Sequence, residues 1–228
     1  MGWLTSLLEP VLDPLIGWFT DVTPEGRAFD ATWGTNTRGF DLGNYEPCRP
    51  DVVEAALDAL DLGPDGVTFV DLGSGKGRVA LLASQRAWLR VVGIEHRSVL
   101  HDLAQRNLAA FEGRGGCRCP VVLLQADIAD QALPDGPLVL FLYNSFPPRV
   151  LRPFVAGLPG RELRLIYVNP QHADVVEAAG FRVIAEHDGG SDRFWAWRIY
   201  APAGTAGATR ERSARGDAPG GTPRSGST

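Results

Sequence analysis

Between Val67 and Arg78 the chain reads V-T-F-V-D-L-G-S-G-K-G-R. A carboxylate, Asp71, is followed by Gly73, Gly75 and Gly77, with Ser74 and Lys76 between them. Glycines at this spacing let a backbone turn sharply and come close to a ligand, because no Cβ stands in the way. An acid at the mouth of the turn suits a ligand with an ammonium group and suits a pyrophosphate badly. Two better-known glycine motifs do not fit. A dinucleotide fingerprint counted from Gly73 needs a third glycine at position 78, which is Arg78. A P-loop needs glycine at position 70 and Ser or Thr after Lys76, and those positions hold Val70 and Gly77.

Two more acids stand where a nucleotide-binding α/β unit would use them. Glu95 closes the apolar run R-V-V-G-I-E. It lies about 20 residues past the glycines, where a carboxylate accepts from ribose hydroxyls, and His96 follows it. Asp127 and Ile128 close the next apolar run, Val121 to Gln125, after one intervening residue. A further turn, Tyr143-Asn144-Ser145-Phe146-Pro147-Pro148, follows the run Pro137 to Leu142.

These residues need strands to end beneath them and helices to follow. Val67 to Val70 is a short apolar run of the kind buried in a parallel sheet, and Val79 to Ala87 follows with helix formers. Arg90–Glu95, Val121–Gln125, Pro137–Leu142 and Leu163–Val168 are expected as strands two to five. Asp51 to Leu60, Val99 to Phe111 and Ala173 to Ala179 are expected as helices. Phe181–Glu186 and Arg193–Tyr200 follow each other directly, as an antiparallel hairpin on a parallel sheet would. The expected fold is α/β: a Rossmann-like, seven-stranded, mostly parallel sheet with an antiparallel C-terminal hairpin and helices on both faces.

Three segments complete the expected organisation. Residues 1–50 form an N-terminal helical and loop segment covering the site, residues 51–200 the main domain, and residues 201–228 a disordered tail. Met1 to Phe19 is apolar, but Glu9, Pro10, Asp13 and Pro14 interrupt it, so neither a membrane span nor a signal peptide is expected. Arg27 to Pro50 reads as loop. Ala201 to Thr228 is built of Ala, Gly, Ser, Thr, Pro and Arg with no apolar period.

A length of 228 residues suits one domain with a single core, and the net charge of −5 argues against a broad nucleic-acid footprint. No nucleic-acid partner is therefore expected. Cys48, Cys117 and Cys119 are too few for a disulfide framework, and further ligands at a usable spacing from Cys117 and Cys119 are absent. No metal site is expected. Reduced thiols imply a cytoplasmic location.

The motif acidic-x-G-x-G-x-G, with Glu95, Asp127 and the Tyr143-Asn144 turn, resembles the class I S-adenosylmethionine-dependent methyltransferases across Asp51 to Tyr200. The D-L-G-S-G-K-G run, with the Tyr45-Glu46-Pro47 loop before it and an Asn-containing turn after strand four, is similar to the non-SET protein-lysine methyltransferases. Together with Phe29-Asp30-Ala31-Thr32-Trp33-Gly34, it is also similar to small bacterial methyltransferases with F-D-x-x-x-G and Y-x-P segments. The turn departs from the N-P-P-Y or D-P-P-Y of enzymes that methylate amino groups of bases. The resemblance implies S-adenosyl-L-methionine as cofactor. Asp71, Gly73, Ser74 and Gly75 would hold its methionine part, Glu95 and His96 its ribose side, and Asp127 with Ile128 its adenine. Tyr45, Tyr143 and Phe146 would wall the methyl, and Asn144 would orient the acceptor with its carbonyl. The acceptor implied is an amine, on a protein lysine or a small molecule. A small-molecule O-methyltransferase and a cofactor-binding sensor without turnover are the alternatives. A general base is not apparent; Glu46, His96 and His172 are the titratable candidates.

Overall fold

A computed structural model describes residues 23–39, 45–143 and 146–204. The apolar N-terminal stretch, Asn144 and the chain beyond residue 204 lie outside the described residues.

Seven strands form one sheet: β1 (Thr68–Leu72), β2 (Arg90–Glu95), β3 (Val121–Gln125), β4 (Leu138–Tyr143), β5 (Leu163–Val168), β6 (Phe181–His187) and β7 (Trp197–Pro202). Their order across the sheet is β3-β2-β1-β4-β5-β7-β6. The first five strands run parallel, and β7 is inserted antiparallel between β5 and β6. The expected hairpin is present, with its second strand on the inside. The chain runs outward from β1 to β3 and then returns to lay β4 on the other side of β1. Parallel sheets hold their ligands at such a reversal, beyond the carboxyl ends of the strands.

Helices cover both faces. Described helices are α1 (Pro24–Trp33), α2 (Pro50–Asp58), α3 (Arg78–Ala83), α4 (Ser98–Gly113), α5 (Pro148–Ala156) and α6 (Ala173–Ala178). Successive strand residues point to opposite faces. Phe69, Val139 and Phe141 accordingly pack with residues of α1 to α4, whereas Val70, Leu72, Leu140 and Leu142 pack with residues of α5 and α6. With both faces covered, β1, β4 and β5 are almost wholly buried, which is why they read as unbroken apolar runs.

Three expectations need correction. Part of the segment read as loop from Arg27 to Pro50 is helix α1. Thr23 caps it by accepting from the Gly26 N–H at 3.2 Å, Pro24 occupies its first turn, and Gly34 ends it at φ 69°. Helix α5 went unrecognised because Pro153 lies inside it; Pro148 starts it, and Leu151 and Val155 anchor it to the core. The last expected strand is shorter, because Arg193–Trp195 forms a 3-10 turn, capped by the Asp192 carboxylate accepting from the Phe194 N–H at 3.0 Å. That turn projects two aromatic side chains toward the site.

Candidate active site

At the carboxyl ends of β1, β2 and β4 lies a cleft of about 460 Å³. Asp71, Gly73, Ser74, Gly75, Glu95, His96 and Asp127 line it, as do Tyr45, Tyr143 and Phe146. The three acids from three separate strand ends thus face one space. Ile128 does not line it; its side chain is 6% exposed and packs in the core beneath. Asn144 is outside the described residues.

The glycine turn is built by β2 as much as by β1. Gly73 and Ser74 both donate their N–H to the Ile94 carbonyl at 2.9 Å. Gly75 donates to Glu95 Oε2 at 2.9 Å, and Glu95 Oε1 accepts from the Arg97 N–H at 2.8 Å. Glu95 is therefore a structural brace as well as a cleft-lining carboxylate, and His96 Nδ1 lies 3.4 Å from it. Gly75 sits at φ 55°, in the left-handed region that favours glycine. A Cβ placed on it would come 2.2 Å from Cε2 of Tyr45.

Asp71 is 3% exposed, and its Oδ2 is buried without a hydrogen-bond partner. Loss of hydration pushes its carboxyl up to about 8, the nearby Glu95 charge adds to the rise, and a backbone N–H at Ala80 offsets part of it. A buried carboxyl with one oxygen unpartnered, facing a cleft, is what a cationic ligand group would complete. Asp127 Oδ1 accepts from the Ala129 N–H at 2.9 Å, which holds its side chain at the cleft's edge.

Several participants were not recognised as such in the sequence. Arg78, in the position of the missing third glycine, is 1% exposed and lines the cleft. Its Nε donates to Thr37 Oγ1 at 2.7 Å, its Nη1 to the Cys48 carbonyl at 3.4 Å, and its Nη2 lies 3.9 Å from Asp30 Oδ2. Burial lowers the guanidinium to about 9. Asp30 Oδ1 also accepts from the hydroxyls of Thr35 and Thr37, each at 2.7 Å. The Phe29-Asp30 pair and Gly34 thus acquire a physical meaning: Phe29 packs on Phe111, Asp30 organises the following loop, and Gly34 ends the helix. Lys76, fully buried, donates to the Arg38 carbonyl at 2.6 Å and lies 5.2 Å from the centre of the Tyr45 ring. Arg78 and Lys76 fasten the upstream loop over the glycine turn.

The opposite wall is aromatic. Tyr143 stacks on Trp195 with ring centres 5.9 Å apart and meets Phe194 edge-on at 6.1 Å. Its hydroxyl is buried, with the Glu46 carboxylate as an electrostatic neighbour. Burial pushes Tyr45 and Tyr143 far above the ordinary phenol range, so both remain neutral donors. Among the described residues no group of His, Cys, Asp and Glu is arranged to hold a metal, and no helix is long and apolar enough to cross a membrane.

Residues 38–117, roughly a third of the chain, match the sequence model of the family described as histone methylation protein DOT1. Three solved structures share the fold. One is the ribosomal protein L11 methylase from Lactobacillus delbrueckii subsp. bulgaricus, with a TM-score of 0.51 and 14% identity over 67% of this chain and 77% of that one. A predicted N6-adenine-specific DNA methylase from Listeria monocytogenes gives 0.54 and 12%, over 72% of this chain but only 54% of that one. A glycopeptide N-methyltransferase in complex with S-adenosylmethionine gives 0.50 and 17%, over 67% and 93%. Comparison with curated proteins gives no match.

Sheet order and structural neighbours define the fold as that of the class I methyltransferases, with the cleft at the strand ends where that fold places its ligand. Within that fold, the sequence likeness over residues 38–117, which carry the glycine turn and Glu95, is to the DOT1 family.

Proposed function

We propose that the protein transfers a methyl group from S-adenosylmethionine to an amine, on a protein lysine or a small molecule. The observation that carries the reading is the convergence of Asp71, Gly75, Glu95, Asp127 and Tyr143 on one cleft. The unpartnered Asp71 oxygen and the glycine turn braced by Glu95 fit a ligand with an ammonium group and a ribose. Asp71, Gly73, Ser74 and Gly75 would hold the methionine part, Glu95 and His96 the ribose side, and Asp127 the adenine. Bound S-adenosylmethionine would supply a methyl already activated by its positive sulfur. The chain's task is then alignment and exclusion of water.

Tyr45, Tyr143 and Phe146 wall the space beyond the glycine turn. Asn144, next to Tyr143 in the chain, keeps its assignment as the acceptor-orienting carbonyl. The amine reading rests on the DOT1 match and on the carboxylates of Glu46 and Asp192, which both bear on Tyr143 and favour a cation over a phosphate-bearing acceptor. We further infer that residues 51–200, with Ala201 and Pro202 that complete β7, form the methyltransferase domain, that the segment before it covers the cleft, and that the protein works in the cytoplasm. The free cysteines Cys48, Cys117 and Cys119 suit that compartment.

The test is transfer of labelled methyl from S-adenosylmethionine into a cell extract, separated into protein, nucleic acid and small molecules. Label on protein lysine or on a small amine supports the reading. Label confined to nucleic acid or to hydroxyl groups overturns it.

A further inference from the structure

The cleft contains one carboxylate that cofactor binding does not use. Glu46 lines it, directly after Tyr45, whose ring lies against Gly75. The Tyr143 side chain lines the same cleft, and its hydroxyl and the Glu46 carboxylate are electrostatic neighbours there. The strand register fixes where that is. Leu72 of β1 is level with Leu142 of β4, so Tyr143 stands level with Gly73 at the start of the glycine turn. Glu46 is thus held between the turn that would receive the methionine part and the aromatic wall that faces the acceptor. Trp195 stacked on Tyr143, with Phe194 against its edge, keeps the phenol in place.

We propose that Glu46 is the acceptor-side catalytic residue: its carboxylate receives the substrate ammonium, and takes the proton that must leave before the nitrogen can react. This rests on the amine reading above. An ammonium has no lone pair. Loss of one proton to Glu46 leaves a neutral amine whose lone pair forms the new C–N bond, while the S–CH3 bond breaks and its electrons stay on sulfur. The cation in the site becomes a neutral thioether and a methylated ammonium. Glu46 is exposed on its outer side, so the proton passes on to water.

The surroundings suit the task. Loss of hydration pushes the Glu46 carboxyl above its usual range, against the opposing influence of the Tyr143 hydroxyl. A raised carboxyl is the better proton acceptor. Tyr143 on β4 bears on Glu46 directly; Cys48 and Asp192 bear on Tyr143 beside it, Arg149 of α5 lines the same cleft, and Arg49 follows in the chain before α2. Arg49 is engaged by Asp51 at 2.6 Å and lies 5.6 Å from the centre of the Trp195 ring, so it is turned to other partners.

Glu46 can be tested without knowing the acceptor. Sinefungin carries an amine where S-adenosylmethionine carries its sulfonium methyl; S-adenosylhomocysteine carries neither. Calorimetric affinities of both ligands are measured on the full chain and on Glu46→Gln. The expected result is unchanged affinity for S-adenosylhomocysteine, with the sinefungin preference reduced at least about fivefold, as loss of one ion pair implies. If Glu46→Gln does not fold, wild type supplies the readout. The preference should fall as pH drops from 8 to 5, and Asp71 cancels because both ligands share the α-ammonium. An unchanged preference in the variant, or a pH-independent one in wild type, overturns the role of Glu46. Absence of binding by either ligand to wild type overturns the cofactor assignment as well, so the two failures are distinguishable.

Discussion

The ring of Tyr45 occupies the space that a side chain at Gly75 would need: a Cβ there would lie 2.2 Å from Tyr45 Cε2. The loop before the sheet and the turn after β1 are therefore fitted to one another, and Lys76 and Arg78 tie the same loop down from below. Gly75→Ala must displace the ring and adopt a left-handed backbone at φ 55°. It is expected to cost about 1–3 kcal/mol, and to weaken S-adenosylhomocysteine binding at least about tenfold, measured by calorimetry. Tyr45→Phe keeps the ring and loses the 3.2 Å bond from its hydroxyl to the Thr37 carbonyl, so its affinity should change far less than that of Gly75→Ala.

Asp71 sets function against stability. Its folded-state carboxyl is raised to about 8, above an unfolded value near 3.8, so the folded protein prefers the protonated form. The sign follows from linkage: its stability contribution is fully present below the unfolded value, declines as pH rises through the interval, and is lost above about 8. Asp71→Asn should raise Tm at pH 8 by about 2–6 °C in scanning calorimetry. Wild type should gain S-adenosylhomocysteine affinity between pH 6.5 and about 8 as the carboxylate forms, and Asp71→Asn should abolish that gain.

Glu95 has the opposite balance. Its two oxygens accept from the N–H groups of Gly75 and Arg97. Glu95→Ala leaves both donors near the cleft without that partner, so it should lower stability by about 1–3 kcal/mol and weaken binding more than Asp127→Ala does. Denaturant melts and calorimetry on the two variants decide this.

Arg78 and Asp30 form the buried anchor of the covering loop. Arg78→Ala would remove three contacts and leave Asp30 buried with less compensation. The expected cost is about 3 kcal/mol or more, read as a shift in urea midpoint with unchanged slope.

Much of the fold was legible because both faces of the sheet are covered. Strands β2, β3 and β5 appear as apolar runs with the expected ends, and the glycine turn carries its own spacing. The elements that escaped are those whose signals conflict. Pro153 masked α5, and the Gly- and Thr-rich neighbourhood hid the capped start of α1 at Thr23 and Pro24. Asp71, Glu95 and Asp127 could be placed because each lies at or just beyond the end of an apolar strand. Arg78 could not, since its role depends on Thr37, Cys48 and Asp30, which only the fold brings to it. Ile128, in the turn after β3, packs into the core below the cleft rather than lining it.

The central claim is that this cleft binds S-adenosylmethionine through Asp71 and Glu95. Calorimetric titration of the full chain with S-adenosylmethionine, beside Asp71→Ala and Glu95→Ala and with NAD as the competing ligand, tests it most directly. The account predicts one saturable site in wild type, at least about tenfold weaker in each variant, and no heat with NAD. Equal affinity in all three proteins, or saturable binding of NAD in place of S-adenosylmethionine, would contradict it.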